Sequence, residues 1–214
     1  ILTGEESCYA CSVRCKRAVA VSSGPYATSE KHMYGGPEYE TLGSLGSLLC
    51  IDDLDAISKG NELCNRYTLD TISAGVAIGF AMECYEKGIL TRADTEGIEF
   101  RFGNPEAMVK GIEWIALRRP GLGDLLADGV KIAAAKIGKG SEKFSLHIKG
   151  QELPLHDPRG KTGLALSYAA SPTGADHVRA PHDTAFQAPG PNMERIAPLG
   201  LLEPMTNTFL HDKG

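Results

Sequence analysis

Apolar residues recur at helical spacing through most of this 214-residue chain, falling three to four positions apart along one face. Leu42, Leu45, Leu48 and Leu49 mark the first such stretch. Pro37 stands at its start with Glu38 and Glu40 behind it, where acids meet the positive end of the helix dipole. Asp52 and Asp53 cap a second helix, whose face is Leu54, Ile57, Leu63, Cys64 and Tyr67. After a break at Leu69-Asp70-Thr71, an apolar helix runs from Ile72 to Tyr85. Gly75 and Gly79 lie four apart on one of its sides, so a neighbouring element can come close there. Lys87-Gly88 ends it.

Residues 91–104 read as a polar loop holding Phe100-Arg101-Phe102. Asn104-Pro105-Glu106 opens a helix that continues to Arg118, and Asp124 to Ile137 reads as one more. Residues 144–149 alternate like a short strand. Leu164 to Ala170 is a short helix, and the proline-rich residues 181–205 read as irregular. Residues 1–36 read as loop-rich, with turn formers throughout. The fold class predicted is mainly α, with five or six helices and few short strands. No Rossmann fingerprint, Walker loop or Gly-x-Ser-x-Gly elbow is present.

Composition narrows the setting. Apolar residues make up 42% and charged residues 23%, an ordinary globular balance that can build a core without disulfides. The net charge of −5 comes with no basic block, so nucleic acid is not an expected partner. No apolar run approaches the roughly 18 residues of a membrane span. No secretory leader is visible and Ile1 replaces an initiating Met, so a piece of a longer cytoplasmic protein is expected.

Chemistry concentrates in Cys8, Cys11 and Cys15, spaced C-x2-C-x3-C. Such spacing lets one tight loop bring three thiolates to a point that can hold an iron–sulfur cluster or zinc. Zinc would call for a second close pair of ligands, which the sequence lacks, so a [4Fe–4S] cluster is favoured. Arg14, Lys16 and Arg17 add positive charge that favours thiolate. Cys50, Cys64 and Cys84 sit singly in apolar segments and read as buried small hydrophobes. Glu38 and Glu40 read first as compensation of a helix dipole, and Asp70 as an N-cap. His177 can carry a proton near neutral pH, although a lone histidine is more often structural. His156 and His182 have weaker claims.

Several motifs together resemble one family. They are Cys8-Tyr9-Ala10-Cys11-Ser12-Val13-Arg14-Cys15, Gly36-Pro37-Glu38-Tyr39-Glu40-Thr41, Leu69-Asp70-Thr71-Ile72-Ser73, Ala81-Met82-Glu83-Cys84-Tyr85-Glu86-Lys87-Gly88, and Glu152-Leu153-Pro154-Leu155-His156-Asp157-Pro158-Arg159-Gly160 with Gly174-Ala175-Asp176-His177. In order and spacing they resemble the tungsten-containing aldehyde:ferredoxin oxidoreductases. The resemblance implies a multi-helical fold of that family's second and third domains. Residues 1–144 would form the helical, cluster-binding middle domain and 145–214 the start of the C-terminal helical domain. It implies oxidation of aldehydes to carboxylic acids, with ferredoxin as electron acceptor. The implied cofactors are a [4Fe–4S] cluster and tungsten or molybdenum held by two pterins in the full-length protein. Cys8, Cys11 and Cys15 match the cluster cysteines. Glu40 and His177 match the catalytic pair, and Asn65, Leu69 and Asp70 match pterin contacts. A homodimer is compatible with the family, but Lys59 replaces a glutamate that binds a bridging metal in some dimers, so that metal is not expected.

The departures carry expectations of their own. Asn65 stands where the family has Asp, and keeps a hydrogen bond but no charge. Thr68 stands where it has Gly, so a different local loop is expected. The family's fourth cluster cysteine and its N-terminal β domain are not in these 214 residues, so the chain alone is expected to close neither cofactor site. Two other readings stay open: a relative acting on another carbonyl or an aromatic acyl substrate, and a non-catalytic helical piece without cofactors.

Overall fold

The computed structural model describes residues 1–29, 34–180, 182, 183 and 198. The chain forms two compact units, Ile1–Leu155 and His156–Gly214. Among the described residues there are seven α-helices and two two-stranded sheets, so the molecule is mainly α. Most of 181–205 lies outside the described residues.

The first unit opens with a hairpin where loop was expected. Strands β1 (Leu2–Glu6) and β2 (Lys16–Val19) pair antiparallel, with Glu6 opposite Lys16. Ala18 is buried while its neighbours stay more open. Helix α1 (Tyr39–Leu45) follows, and a 3₁₀ turn at Ser47–Leu49 replaces the continuous helix predicted through Leu49. Gly46 is the reason for the break. Its backbone is non-helical, and a Cβ there would lie 2.5 Å from the Leu42 carbonyl oxygen.

Helices α2 (Leu54–Arg66) and α3 (Thr71–Glu86) begin where predicted, at local caps. Asp53 accepts hydrogen bonds from the amides of Asp55 and Ala56, and Asp70 from that of Ser73. Each cap satisfies amides that the first turn leaves without partners. Helix α4 (Pro105–Ala116) is capped by Asn104 and begins with proline. Helix α3 is buried on nearly every side, from Ala74 to Cys84, as befits the central rod of a bundle. Gly75 and Gly79 let it meet α1 and the 3₁₀ turn, and a Cβ on Gly75 would sit 2.6 Å from the Ser44 carbonyl oxygen. Leu45, Leu49, Ile57, Ile78, Met82, Phe100, Met108 and Ile112 form the centre of the core.

The helix predicted over Asp124–Ile137 is two: α5 (Leu122–Leu126) and α6 (Val130–Ile137). Gly129, at a φ of 85°, turns the chain between them. The buried Glu152 accepts from the Val130 amide at 2.8 Å and so caps α6 from 22 residues away. Strands β3 (His147–Ile148) and β4 (Gln151–Glu152) form the short hairpin that delivers it. In the second unit, α7 (Thr162–Ala170) buries Leu164 and Tyr168.

Candidate active site

The three cysteines sit on residues 7–15, between the two strands of the first hairpin. The Cys11 amide donates to the Cys8 carbonyl at 3.0 Å. Ala10 and Arg14 take positive φ values of 56° and 53°, which bends the loop twice. Arg17 donates to the Cys15 carbonyl at 2.9 Å. All three are free thiols; Cys8 and Cys15 are exposed and Cys11 is half-buried.

The hairpin is held against the start of α1 by two glycines. The Gly36 amide donates to the Arg17 carbonyl at 2.5 Å. A Cβ on Gly36 would lie 2.9 Å from that same oxygen, and one on Gly35 would lie 2.1 Å from the Lys16 Cε. Strand β2 therefore runs closer to the backbone of 35–36 than any side chain would allow. This closeness forms one wall of a cleft of about 420 Å³ that Cys8, Lys16, Glu40, Asn65, Leu69 and Asp70 help to line. Five of the eight residues singled out from sequence thus meet at one cleft, although they span 62 positions from Cys8 to Asp70.

Within it, one oxygen of the Glu40 carboxylate accepts the Leu155 amide at 2.8 Å. Tyr39 Oη donates to the Leu155 carbonyl at 3.4 Å, so the last residue of the first unit is held against α1. Asn65 donates through Nδ2 to the Asn61 carbonyl at 2.8 Å, and Asn61 donates to the Gly35 carbonyl at 3.1 Å. The buried Asn61 ties Asn65 to the glycines that seat the hairpin. Sequence reasoning missed it, although an amide four residues before Asn65 on the buried face of α2 is a readable signal. Glu62, also buried, grips the Ser29 amide at 2.8 Å and pairs with Lys59 and Arg66.

Two expectations are corrected here. Thr68 adopts a φ of 56°, so the turn from α2 to α3 keeps the left-handed residue for which glycine is suited. Leu69 N to Cys64 O at 2.8 Å closes that turn. Cys50 is exposed, at a φ of 56° after the 3₁₀ turn, while Cys64 and Cys84 are fully buried as read. Gly46 ends α1 early and so delivers Cys50 to the surface.

The second unit holds His177 with two further histidines. Its ring centroid lies 5.0 Å from that of His156 and 5.7 Å from that of His182. Asp176 shapes the turn by accepting the Val178 amide at 2.8 Å and Arg179 Nε at 3.0 Å. Lys161 Nζ lies 3.2 Å from His156 Nδ1 and 3.1 Å from His182 Nδ1. Partial burial, then the charge of Lys161, push the His156 imidazole down to about 4, with His182 and His177 adding to the effect. Burial and Lys161 lower His182 as well. No local pattern in the sequence marked Lys161.

Comparison with known proteins shows the family to which the chain belongs. The family described as aldehyde ferredoxin oxidoreductase, domains 2 and 3, matches residues 1–209. The chain is 40% identical over 179 residues to a tungsten-containing aldehyde ferredoxin oxidoreductase of Thermococcus kodakarensis, covering 83% of this chain and 28% of that protein. It is 34% identical over 176 residues to the WOR-like subunit of an aliphatic sulfonate oxidoreductase of Pyrococcus furiosus, covering 79% and 27%. Among solved structures it resembles the active-site complex BamBC of benzoyl coenzyme A reductase with 1,5-dienoyl-CoA. There the TM-score is 0.61 at 26% identity, over 93% of this chain and 29% of that one. The chain spans under a third of the length of each of these proteins.

Proposed function

The chain belongs to the aldehyde ferredoxin oxidoreductase family, and from that premise we propose that it carries part of the active site of a tungstopterin iron–sulfur oxidoreductase. The reaction is oxidation of an aldehyde to a carboxylic acid, with ferredoxin taking the electrons. The observation that supports this reading best is the cleft that gathers Cys8, Glu40, Asn65, Leu69 and Asp70. The donor set fits the cofactors the family implies: free thiols on one tight turn for a cluster, and an amide, a carboxylate and an apolar side chain for a pterin edge. Cys8, Cys11 and Cys15 would hold the [4Fe–4S] cluster, and Asn65, Leu69 and Asp70 the pterin. When bound, these groups supply the two-electron redox change and its one-electron relay.

The protein's own residues handle protons. Aldehyde and water become carboxylate by losing two electrons and three protons. Glu40 takes a proton from the attacking water, its other oxygen kept in place by the Leu155 amide. His177 holds or passes on a proton. In the full-length protein carrying this sequence, Glu40→Gln lowers kcat by about two orders of magnitude, the size of a lost general base. A variant turning over at the wild-type rate overturns that role.

The likeness to benzoyl coenzyme A reductase favours a second reading, in which an aromatic acyl substrate takes the place of the aldehyde. Assays of the same protein with aliphatic aldehydes and with aromatic thioesters separate the two.

A further inference from the structure

His156, His177 and His182 form a group that proton transfer by His177 alone does not explain. Each offers a ring nitrogen, and these atoms all lie within 4.8 Å of one another. The rings are interlocked, His156 and His182 meeting edge to face at 4.4 Å between centroids. Imidazole is the commonest protein ligand for transition metals. Three such ligands with a fourth position open are one of the donor sets that hold zinc.

A metal site also needs residues behind its ligands. Here they come from one element. Helix α7 presents the amides of Gly163 and Leu164 to the carboxylate of Asp183, at 2.8 and 3.1 Å, which fixes the residue next to His182. Tyr168, fully buried on the same helix, donates to the carbonyl of His156 at 3.2 Å. Lys161, immediately before α7, reaches Nδ1 of both His156 and His182. An ammonium has only donors to offer, so both nitrogens accept from it. A cation therefore already sits where a metal ion would.

We propose that His156, His177 and His182 form a site for a divalent transition-metal ion of the zinc class, with Lys161 as a tethered competitor. The metal enters as the ammonium leaves Nδ1 of His156 and His182. Nitrogen lone pairs replace water on the ion, and no electron moves. The lysine head swings out to water on its flexible stem. The competitor lowers the affinity and keeps exchange easy, in contrast to a closed structural site.

The test is equilibrium dialysis of the 214-residue chain against zinc chloride, followed by metal analysis. Because thiolates are zinc ligands by type, it is run in a Cys8→Ser, Cys11→Ser, Cys15→Ser background. Zinc is expected to bind with one ion per chain. Lys161→Met, which removes the competing charge, tightens binding by at least about tenfold. His156→Gln with His182→Gln releases the ion. Misfolding cannot imitate the gain from Lys161→Met. No zinc uptake by either the parent or Lys161→Met, retention by the double histidine variant, or equal affinity with and without Lys161 overturns the proposal.

Discussion

Thr68 shows what a single residue can carry against its own preference. A β-branched side chain at a φ of 56° costs on the order of 1–2 kcal/mol relative to right-handed backbone. The strain persists because the turn is overdetermined. The Thr68 hydroxyl donates to the Tyr67 carbonyl at 2.7 Å, and the next amide returns to Cys64. Thr68→Gly relieves the strain without moving Asn65 or Asp70, so it is expected to stabilise the protein by about 1 kcal/mol and raise Tm by several degrees. Thermal unfolding measures this, and a lowered Tm would show that the hydroxyl is worth more than the strain. The sequence made Thr68 look like a lost loop. Propensity describes the residue, whereas the fixed ends of α2 and α3 decide the backbone.

Gly75 and Gly79 belong to the scale of elements, since each sets the separation of two of them. Gly75→Ala would place a Cβ 2.7 Å from Ser44 Cβ and 2.6 Å from its carbonyl oxygen. Backbone cannot yield as a side chain can, so overpacking of about 1–3 kcal/mol is expected. Gly79→Ala meets side chains alone, Leu49 at 3.3 Å and Leu48 at 3.8 Å, and is expected to cost less than half as much. Urea unfolding of the two variants checks the order, and the reverse order refutes this account of the α1–α3 contact. The contact itself was legible, because a spacing of four is a property of one helix. So were the starts of α2, α3 and α4, whose caps Asp53, Asp70 and Asn104 act within three residues. The β1–β2 hairpin was not, because its exposed strands show little alternation and their partnership is nonlocal. Nor was the break between α5 and α6, which depends on Glu152 arriving from another hairpin.

At the scale of the whole molecule, the six cysteines sort by where the fold puts them. In metal-free protein, a thiol reagent at pH 8 is expected to find Cys8, Cys11, Cys15 and Cys50 quickly, with Cys64 and Cys84 reacting only on unfolding. Fast reaction of more than four thiols would mean the core around α3 is open. Burial, with the charge of Asp70, pushes the Cys64 thiol up to about 12. The folded state therefore holds this proton when the unfolded chain has released it. Its contribution is full below the unfolded value, near 8.5–9, and is lost as pH climbs towards about 12. Stability should fall over that window, and Cys64→Ala should fall less steeply in denaturant titrations at pH 8 and 10.5. As for the site, motifs pointed to Cys8, Glu40, Asn65, Leu69 and Asp70, which the fold draws to one cleft. Asn61 was within reach and missed, whereas Lys161 lay beyond it, because its importance comes from what surrounds it.

The carboxylate of Asp183 carries a consequence about length. Helix α7 has no side-chain cap of its own, and its first amides are satisfied by a residue 19 and 20 positions downstream. The shortest piece of the second unit able to keep that helix is therefore set by a residue well beyond the helix's own end. A chain cut anywhere between 171 and 182 would leave all of α7 intact in sequence and still release its first turn.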